Sequence, residues 1–195
     1  RLTIVLTYSP QKAYSDSMCE LFKEFMAKVG IEVKLESITG ELLTSRVMAN
    51  EVEFGCWHAD KASDIVFQLS PQWFVAYDIG WERPWGVEWA RWHMTNGKEG
   101  LEPPQIVKDV YQAWLKLCSE MNEQERLRLG KEILKAQAEN LWTIGTVGHL
   151  SEPIVVGENL RNFPKEGYTG YDYLTASHYR IEQVYFEGGK WTGEV

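Results

Sequence analysis

The stretch LTIVLTYSPQKAYSDSMCELFKEFMAKVGIEVKLESITGELLTSRVMANEVEFGCW, residues 2–57, decides the fold. Leu2, Ile4 and Leu6 lie on one face of a strand, with Thr3, Val5 and Thr7 on the other. From Pro10 to Gly30 the spacing turns helical. Met18, Leu21, Phe22, Phe25, Met26 and Val29 form one apolar stripe, and Lys23, Glu24 and Lys28 form the wet side. Gly30 stands where a helix C-terminus favours glycine. Ile31, Val33 and Leu35 then alternate with Glu32, Lys34 and Glu36 as a half-buried strand. A short helix is predicted from about Gly40 to Asn50, with Thr39 as N-cap and Glu41 in the positive first turn. Phe54 to Trp57 reads as a third strand. Strand, helix, strand, helix, strand predicts an α/β domain with a largely parallel core. Ligands in such sheets bind beyond the carboxyl ends of the strands, so His58-Ala59-Asp60-Lys61 is well placed to meet one.

Working outward, residues 61–104 lack a sustained period and are rich in Trp, Pro and Gly. They are expected to form a long, irregular, aromatic excursion, and loops of that length tend to be functional. Pro103-Pro104 opens a helix carrying Ile106, Val107, Val110, Tyr111, Trp114, Leu117 and Cys118. Asn122, with Glu125 three residues on, starts a second helix through about Asn140. Leu127, Leu134, Ala138 and Leu141 are read as its buried face. Trp142 to Leu150 and Pro153 to Val156 read as strands around a turn at Ser151-Glu152. The last thirty residues are turn-rich before the apolar, aromatic Ile181 to Phe186.

The chain has 195 residues, with 20 basic and 28 acidic side chains and a net charge of −8. Hydrophobic residues at 44% and charged residues at 25% describe a globular protein, not a disordered one. The acidic balance excludes nucleic acid as partner, because phosphate affinity comes from clustered Lys and Arg. Three cysteines are too few for a disulfide scaffold. Tryptophan is the exceptional residue: Trp73, Trp81, Trp85, Trp89 and Trp92 crowd into one short stretch. Trp73, Trp89 and Trp92 can pack the excursion onto the sheet. Others can form a stacking platform for sugar rings or apolar peptide side chains. His58 and Asp60 lie two apart, while His93, His149 and His178 stand alone, so no pair of closely spaced ligands announces a metal. There is no Gly-x-Ser-x-Gly elbow, and no Gly-Lys-Ser/Thr follows Gly145 and Gly148. Cys56 reads as a small buried hydrophobe. Nothing singles out a carboxylate pair for glycoside hydrolysis. The residues point to a ligand surface without a catalyst, metal or cofactor.

In order and spacing, several segments carry a family resemblance. They are Gly30-Ile31-Glu32-Val33, the run Phe54 to Asp60, Gly97 to Pro104, Glu139 to Gly148 and Asn159 to Pro164. Together they resemble the C-terminal lobe of an extracytoplasmic solute-binding protein of the peptide/nickel/oligosaccharide ABC-transporter family. The resemblance covers nearly the whole chain. It implies a periplasmic-binding-protein type II lobe, with a mixed, mostly parallel sheet flanked by helices. Residues 1–165 would be the lobe, and 166–195 a return segment packing on a missing N-terminal lobe. The start at Arg1, directly ahead of a strand, agrees with an excised piece. Ile181, Tyr185 and Phe186 would then fold back, dimerise or stay loose.

The resemblance also implies roles. In oligopeptide-binding relatives a Trp-x-Ala-Asp segment supplies an Asp that pairs with the peptide α-ammonium group. Trp57-His58-Ala59-Asp60 matches it, making Asp60 the charge clamp and Trp57 a cleft-lining aromatic. Asp60 is equally suited to cap a helix, and Lys61 departs from the oligopeptide pattern by standing next to it. Trp81, Trp85 and Trp89 would supply flat faces if the ligand is an oligosaccharide. The implied partners are a small solute, the permease subunits and the other lobe, at a periplasmic or extracellular location, with an anchor in a preceding segment. The rival reading is a secreted glycoside-active enzyme domain with an aromatic cleft.

Overall fold

The structure, a computed structural model, describes residues 2–10, 15–57, 67–79, 85–146, 153–167 and 181–188. The chain divides into two compact units, Arg1–Ile144 and Gly145–Val195.

The first unit begins with β1 (Thr3–Tyr8), α1 (Ser15–Lys28), β2 (Glu32–Ser37), α2 (Gly40–Met48) and β3 (Phe54–Gly55). All three strands are parallel and the sheet order is β2-β1-β3. The register runs from Thr3↔Glu32 to Tyr8↔Ser37 on one edge of β1, and Leu6↔Phe54 to Thr7↔Gly55 on the other. Parallel strands cannot be joined by a tight turn, so each crossover takes a helix, as the sequence predicted. β1 is buried on both faces over its second half, Leu6 on one and Thr7 on the other, as befits a central parallel strand.

Local chemistry sets the ends. Gly30 adopts φ +86 just beyond α1. Thr39 caps α2, its hydroxyl accepting from the Leu42 N–H. Arg46 of α2 reaches back to Glu36 of β2 at 2.9 Å, and the Thr7 hydroxyl of β1 donates to the same carboxylate. That guanidinium, and then the hydroxyl, hold Glu36 below the usual carboxylate range. The core of this half is Leu6, Tyr8, Cys19 and Val33, with Phe22, Met26 and Phe54 packed on it. α1 therefore buries a narrower line than its apolar stripe suggests. Leu21, Phe25 and Val29 lie outside, and the Lys28 ammonium sits over the Phe25 ring at 5.0 Å.

The excursion contains a helix that its sequence did not announce, α3 (Val87–Met94). Val87 and Ala90 are its buried pair, too short a pattern to stand out among its tryptophans. α4 (Gln105–Ser119) and α5 (Glu123–Asn140) follow, with Pro104 ahead of the first and the Asn122 side chain accepting from the Glu125 N–H at the second. The buried face of α5 is Leu129, Ile133 and Ala136, against Val110 and Leu117 of α4. Leu127, Leu134, Ala138 and Leu141, read from the sequence as that face, are exposed. α5 carries two apolar lines, and α4 covers the one that matches its own stripe. Nor do 142–146 and 153–156 form strands; residues 147–152 lie outside the described residues.

The second unit holds β4 (Leu160–Arg161) antiparallel to β5 (Tyr185–Phe186), with a 3-10 turn at Ile181–Gln183. The Glu187 N–H donates to the Asn159 carbonyl at 2.8 Å, and Arg161 pairs with Glu187. Tyr185 and Phe186 thus pair with β4 of the same unit.

Gly100 gives the clearest local constraint. At φ +81, a Cβ there would stand 2.3 Å from the Glu88 carbonyl oxygen and 2.8 Å from the Trp92 amide nitrogen. Neither backbone atom can give way without unwinding α3. Gly100→Ala is expected to lose about 2–4 kcal/mol in chemical denaturation. Gly145→Ala, where a Cβ meets nothing within 4 Å, should stay within about 0.5 kcal/mol of the parent. Equal losses at both positions would refute the close-approach account.

Candidate functional site

Because all three strands run the same way, Ser9, Ile38 and Cys56 leave the sheet on one edge. The chain moves from β1 to β2 on one side, then returns across β1 to β3 on the other. The direction of winding thus reverses between β1 and β3, which is where open α/β sheets form their ligand crevice. Two segments leave the sheet at that point. After β1 come Ser9, whose hydroxyl is buried and has no hydrogen-bond partner among the described residues, and Pro10. After β3 come Cys56 and Trp57. The Cys56 N–H donates to the Thr7 carbonyl at 3.1 Å, extending the β1–β3 ladder to the foot of Trp57. Trp57 is half-buried there. Tyr8, the last residue of β1, is buried, and the nearby Asp16 carboxylate holds its phenol above the usual value.

Of the residues singled out from sequence, His58, Asp60 and Trp81 lie outside the described residues. Trp85 and Trp89 are brought together. Trp85 stacks on Trp142 with centroids 4.6 Å apart and planes at 7°, and meets Trp89 edge-on at 6.2 Å. Both pack against Ala76, Ala90 and Val107. Gly86 permits this: at φ +65, a Cβ would come within 3.0 Å of the Ala76 Cβ and 3.1 Å of the Trp89 ring. One face of Trp85 is therefore occupied from within the protein.

The described part of the excursion packs on α4 and α5, whereas the sequence suggested the sheet for Trp73, Trp89 and Trp92. Trp114 of α4 donates its indole N–H to the Gln68 carbonyl at 3.0 Å, and the Thr143 hydroxyl donates to the Trp73 carbonyl at 3.0 Å. Trp73 itself is only 8% exposed. His93 of α3 stacks on Tyr111 of α4, with centroids 3.9 Å apart and planes at 9°. Lys108 covers the neighbouring Trp92 at 5.1 Å. Burial, and then the Lys108 charge, hold the His93 imidazole below its ordinary pKa, so it is neutral near pH 7. The sequence showed His93 only as an isolated His in an aromatic stretch without a sustained period, which gave no sign of its stack on Tyr111. Among the described residues no group of three or more His, Cys, Asp or Glu converges to hold a metal ion. None of their helices is long and apolar enough to cross a membrane.

No family model matches the chain, and no curated protein matches it. Solved structures do. The oligopeptide-binding protein OppA superposes with a TM-score of 0.63 at 24% identity, over 84% of this chain and 27% of OppA. The periplasmic binding protein MelB from Agrobacterium fabrum, solved in complex with stachyose, gives 0.57 at 22% identity, over 73% of this chain and 20% of MelB. NikA from Brucella suis, in complex with Fe(III)-EDTA, gives 0.50 at 21%, over 72% and 25%. The chain has the periplasmic-binding-protein type II fold. At these identities the likeness is one of fold, and the chain spans only a fifth to just over a quarter of those proteins' lengths. In this type II fold the switch point, and not the tryptophan-rich excursion, is the feature built by the sheet itself.

Two measurements test this assignment of roles. A double-mutant cycle on Trp85 and Trp142 should give a coupling of about 0.5–1.5 kcal/mol if the stack is structural; no coupling would free Trp85 for another role. For His93 the sign follows from linkage. The unfolded chain takes up its imidazole proton at about pH 6.5 while the folded chain resists. Stability should therefore fall as pH drops through that value, and His93→Phe, which keeps a ring on Tyr111, should flatten the unfolding midpoint between about pH 7 and 5. Glu36 and Glu125, whose pKa values are lowered, act in a separate, more acidic window. An unchanged slope in the Phe variant would show that His93 is not the titrating group.

Proposed function

We propose that the chain is the solute-capturing lobe of a non-enzymatic binding protein, working outside the cytoplasmic membrane. It would capture oligopeptides or oligosaccharides and hand them to an ABC permease. The observation that carries this reading is the β1/β3 switch point, whose edge leads into Trp57-His58-Ala59-Asp60. OppA is named for oligopeptide binding, and MelB was solved with stachyose, which supports a solute of one of those two classes. In this reading Trp57 lines the cleft, His58 borders it, and Asp60 pairs with a peptide ammonium group. A charge-assisted bond in a closed, dry cleft is stronger than the same bond in water. Trp81, with the outer surfaces of Trp85 and Trp89, would form the far wall, while residues 166–195 serve as the return towards the other lobe. Closure of two lobes over a solute would convert binding into a shape that the permease reads.

The test is a tryptophan-fluorescence titration of the longer two-lobed protein with short peptides and with β-linked oligosaccharides. For peptides, Asp60→Asn should weaken binding at least about tenfold, the effect of losing a charge-assisted bond of about 1.5–3 kcal/mol. Oligosaccharide binding unaffected by that change, with no peptide binding, would remove the clamp and leave the capture role standing. The 195-residue chain alone should bind only weakly, because half the cleft wall is absent. Sub-micromolar affinity from this chain, or hydrolysis of a chromogenic glycoside, would overturn the lobe reading itself.

A further inference from the structure

The contact between α1 and β3 is built in two matched steps. Residues two apart on a strand share a face, and residues three apart on a helix share a stripe. Phe54 and Cys56 stand two apart at the end of β3; Phe22 and Cys19 stand three apart on α1. A crossover helix runs antiparallel to the strands it joins, so stepping forward from Phe54 to Cys56 matches stepping back from Phe22 to Cys19. The first step is a ring stack, with the Phe22 and Phe54 centroids 5.5 Å apart and the planes at 18°. The second step places Cys19 and Cys56 in one core cluster, close enough that each thiol acts on the ionisation of the other. The Cys56 backbone is itself fixed, through its N–H to the Thr7 carbonyl. We propose that Cys19 and Cys56 form a disulfide that ties α1 to the end of β3, while Cys118 stays single.

The two thiols differ in a way that orders the chemistry. Cys19 is 1% exposed, and burial, with the neighbouring Cys56, pushes its thiol up to about 12. Cys56 is half-buried, and burial raises its thiol while the neighbouring Cys19 thiol opposes that rise. Cys56 is thus the first to react. With a small disulfide as oxidant, the Cys56 thiolate attacks one sulfur of the reagent and expels one thiolate, leaving a mixed disulfide. Cys19 then gives up its proton and attacks the Cys56 sulfur, expelling the second thiolate. One reagent disulfide is reduced to two thiols, and two protein thiols become one disulfide. Cys118 lies on α4, where its thiol donates to the Gln68 carbonyl at 3.4 Å, outside the cluster that holds the pair. The bond would hold the residue just before Trp57 to the helix, and it forms whatever solute the cleft takes.

The experiment treats the reduced 195-residue chain with oxidised glutathione at mildly alkaline pH, both folded and during refolding from denaturant. Remaining thiols are alkylated in denaturant before non-reducing peptide mapping. The expected result is a linked peptide pair containing Cys19 and Cys56, with Cys118 alkylated or carrying glutathione. Cys118→Ser should leave that link unchanged. Cys19→Ser should trap a lasting glutathione adduct on Cys56. Alkylation of both Cys19 and Cys56 in both arms, or a link that includes Cys118, overturns the proposal. No ligand enters the assay, so its outcome is independent of the transport reading.

Discussion

The parallel pairing of β1 on both of its edges is the constraint from which the rest of this unit follows. A strand hydrogen-bonded on each side to parallel neighbours cannot reach either by a hairpin, so both connections must cross a face of the sheet. α1 and α2 make those crossings, and each needs an apolar line to pay for its own ordering. Cys19, Phe22 and Met26 supply one; Leu43 supplies the other's buried anchor. The same constraint delivers three strand ends to a single edge and makes the chain reverse between β1 and β3. A binding edge is thus a by-product of strand order, before any particular side chain is chosen.

Polar satisfaction governs the second half. Irregular backbone buried against helices leaves carbonyls that must find donors. The excursion solves this with side chains from the helices it covers. The Trp114 indole and Cys118 thiol bond to Gln68, the Thr143 hydroxyl to Trp73, and Gln137 in turn to the Thr143 carbonyl. Trp114 thus serves two needs at once, large buried area and a donor at the tip. The buried indole N–H groups of Trp73 and Trp85 have no hydrogen-bond partner among the described residues, so these two contribute packing area there and not a donor.

The β1–β3 half was legible because its patterns are local: period two, period three to four, Thr39 as a cap, Gly30 as a stop. The helix pair was legible for the same reason, from Pro104 and from Asn122 with Glu125. What failed depends on partners. Leu127 and Leu134 form as good an apolar line as Leu129 and Ile133, and only the position of α4 chooses between them. α3 was missed because Gly86 and the flanking tryptophans look like loop, while Gly100, whose close approach to Glu88 and Trp92 clamps α3, is distant in sequence. Of the candidate site, Trp57 was named through the family resemblance, at the end of a predicted strand that proves two residues shorter. The stack of Trp85 on Trp142 was not legible, since the two are joined only by the fold.

These two halves place different demands on a binding surface. Affinity suffers when groups must be ordered at the moment of binding, so contact residues gain from a rigid footing. Trp85 and Trp89 have that footing, but it consumes part of their surface. Trp57 obtains it differently. Its footing is backbone, the Cys56 N–H to Thr7 that prolongs the β1–β3 ladder, and its neighbour on the core side is the Cys19–Phe22 line of α1. Trp57 is held through the backbone of Cys56, whereas Trp85 and Trp89 are held through their rings. Under the proposed capture role, the segment that leaves β3 would then supply the first contacts to a solute, with the tryptophan-rich excursion as its support.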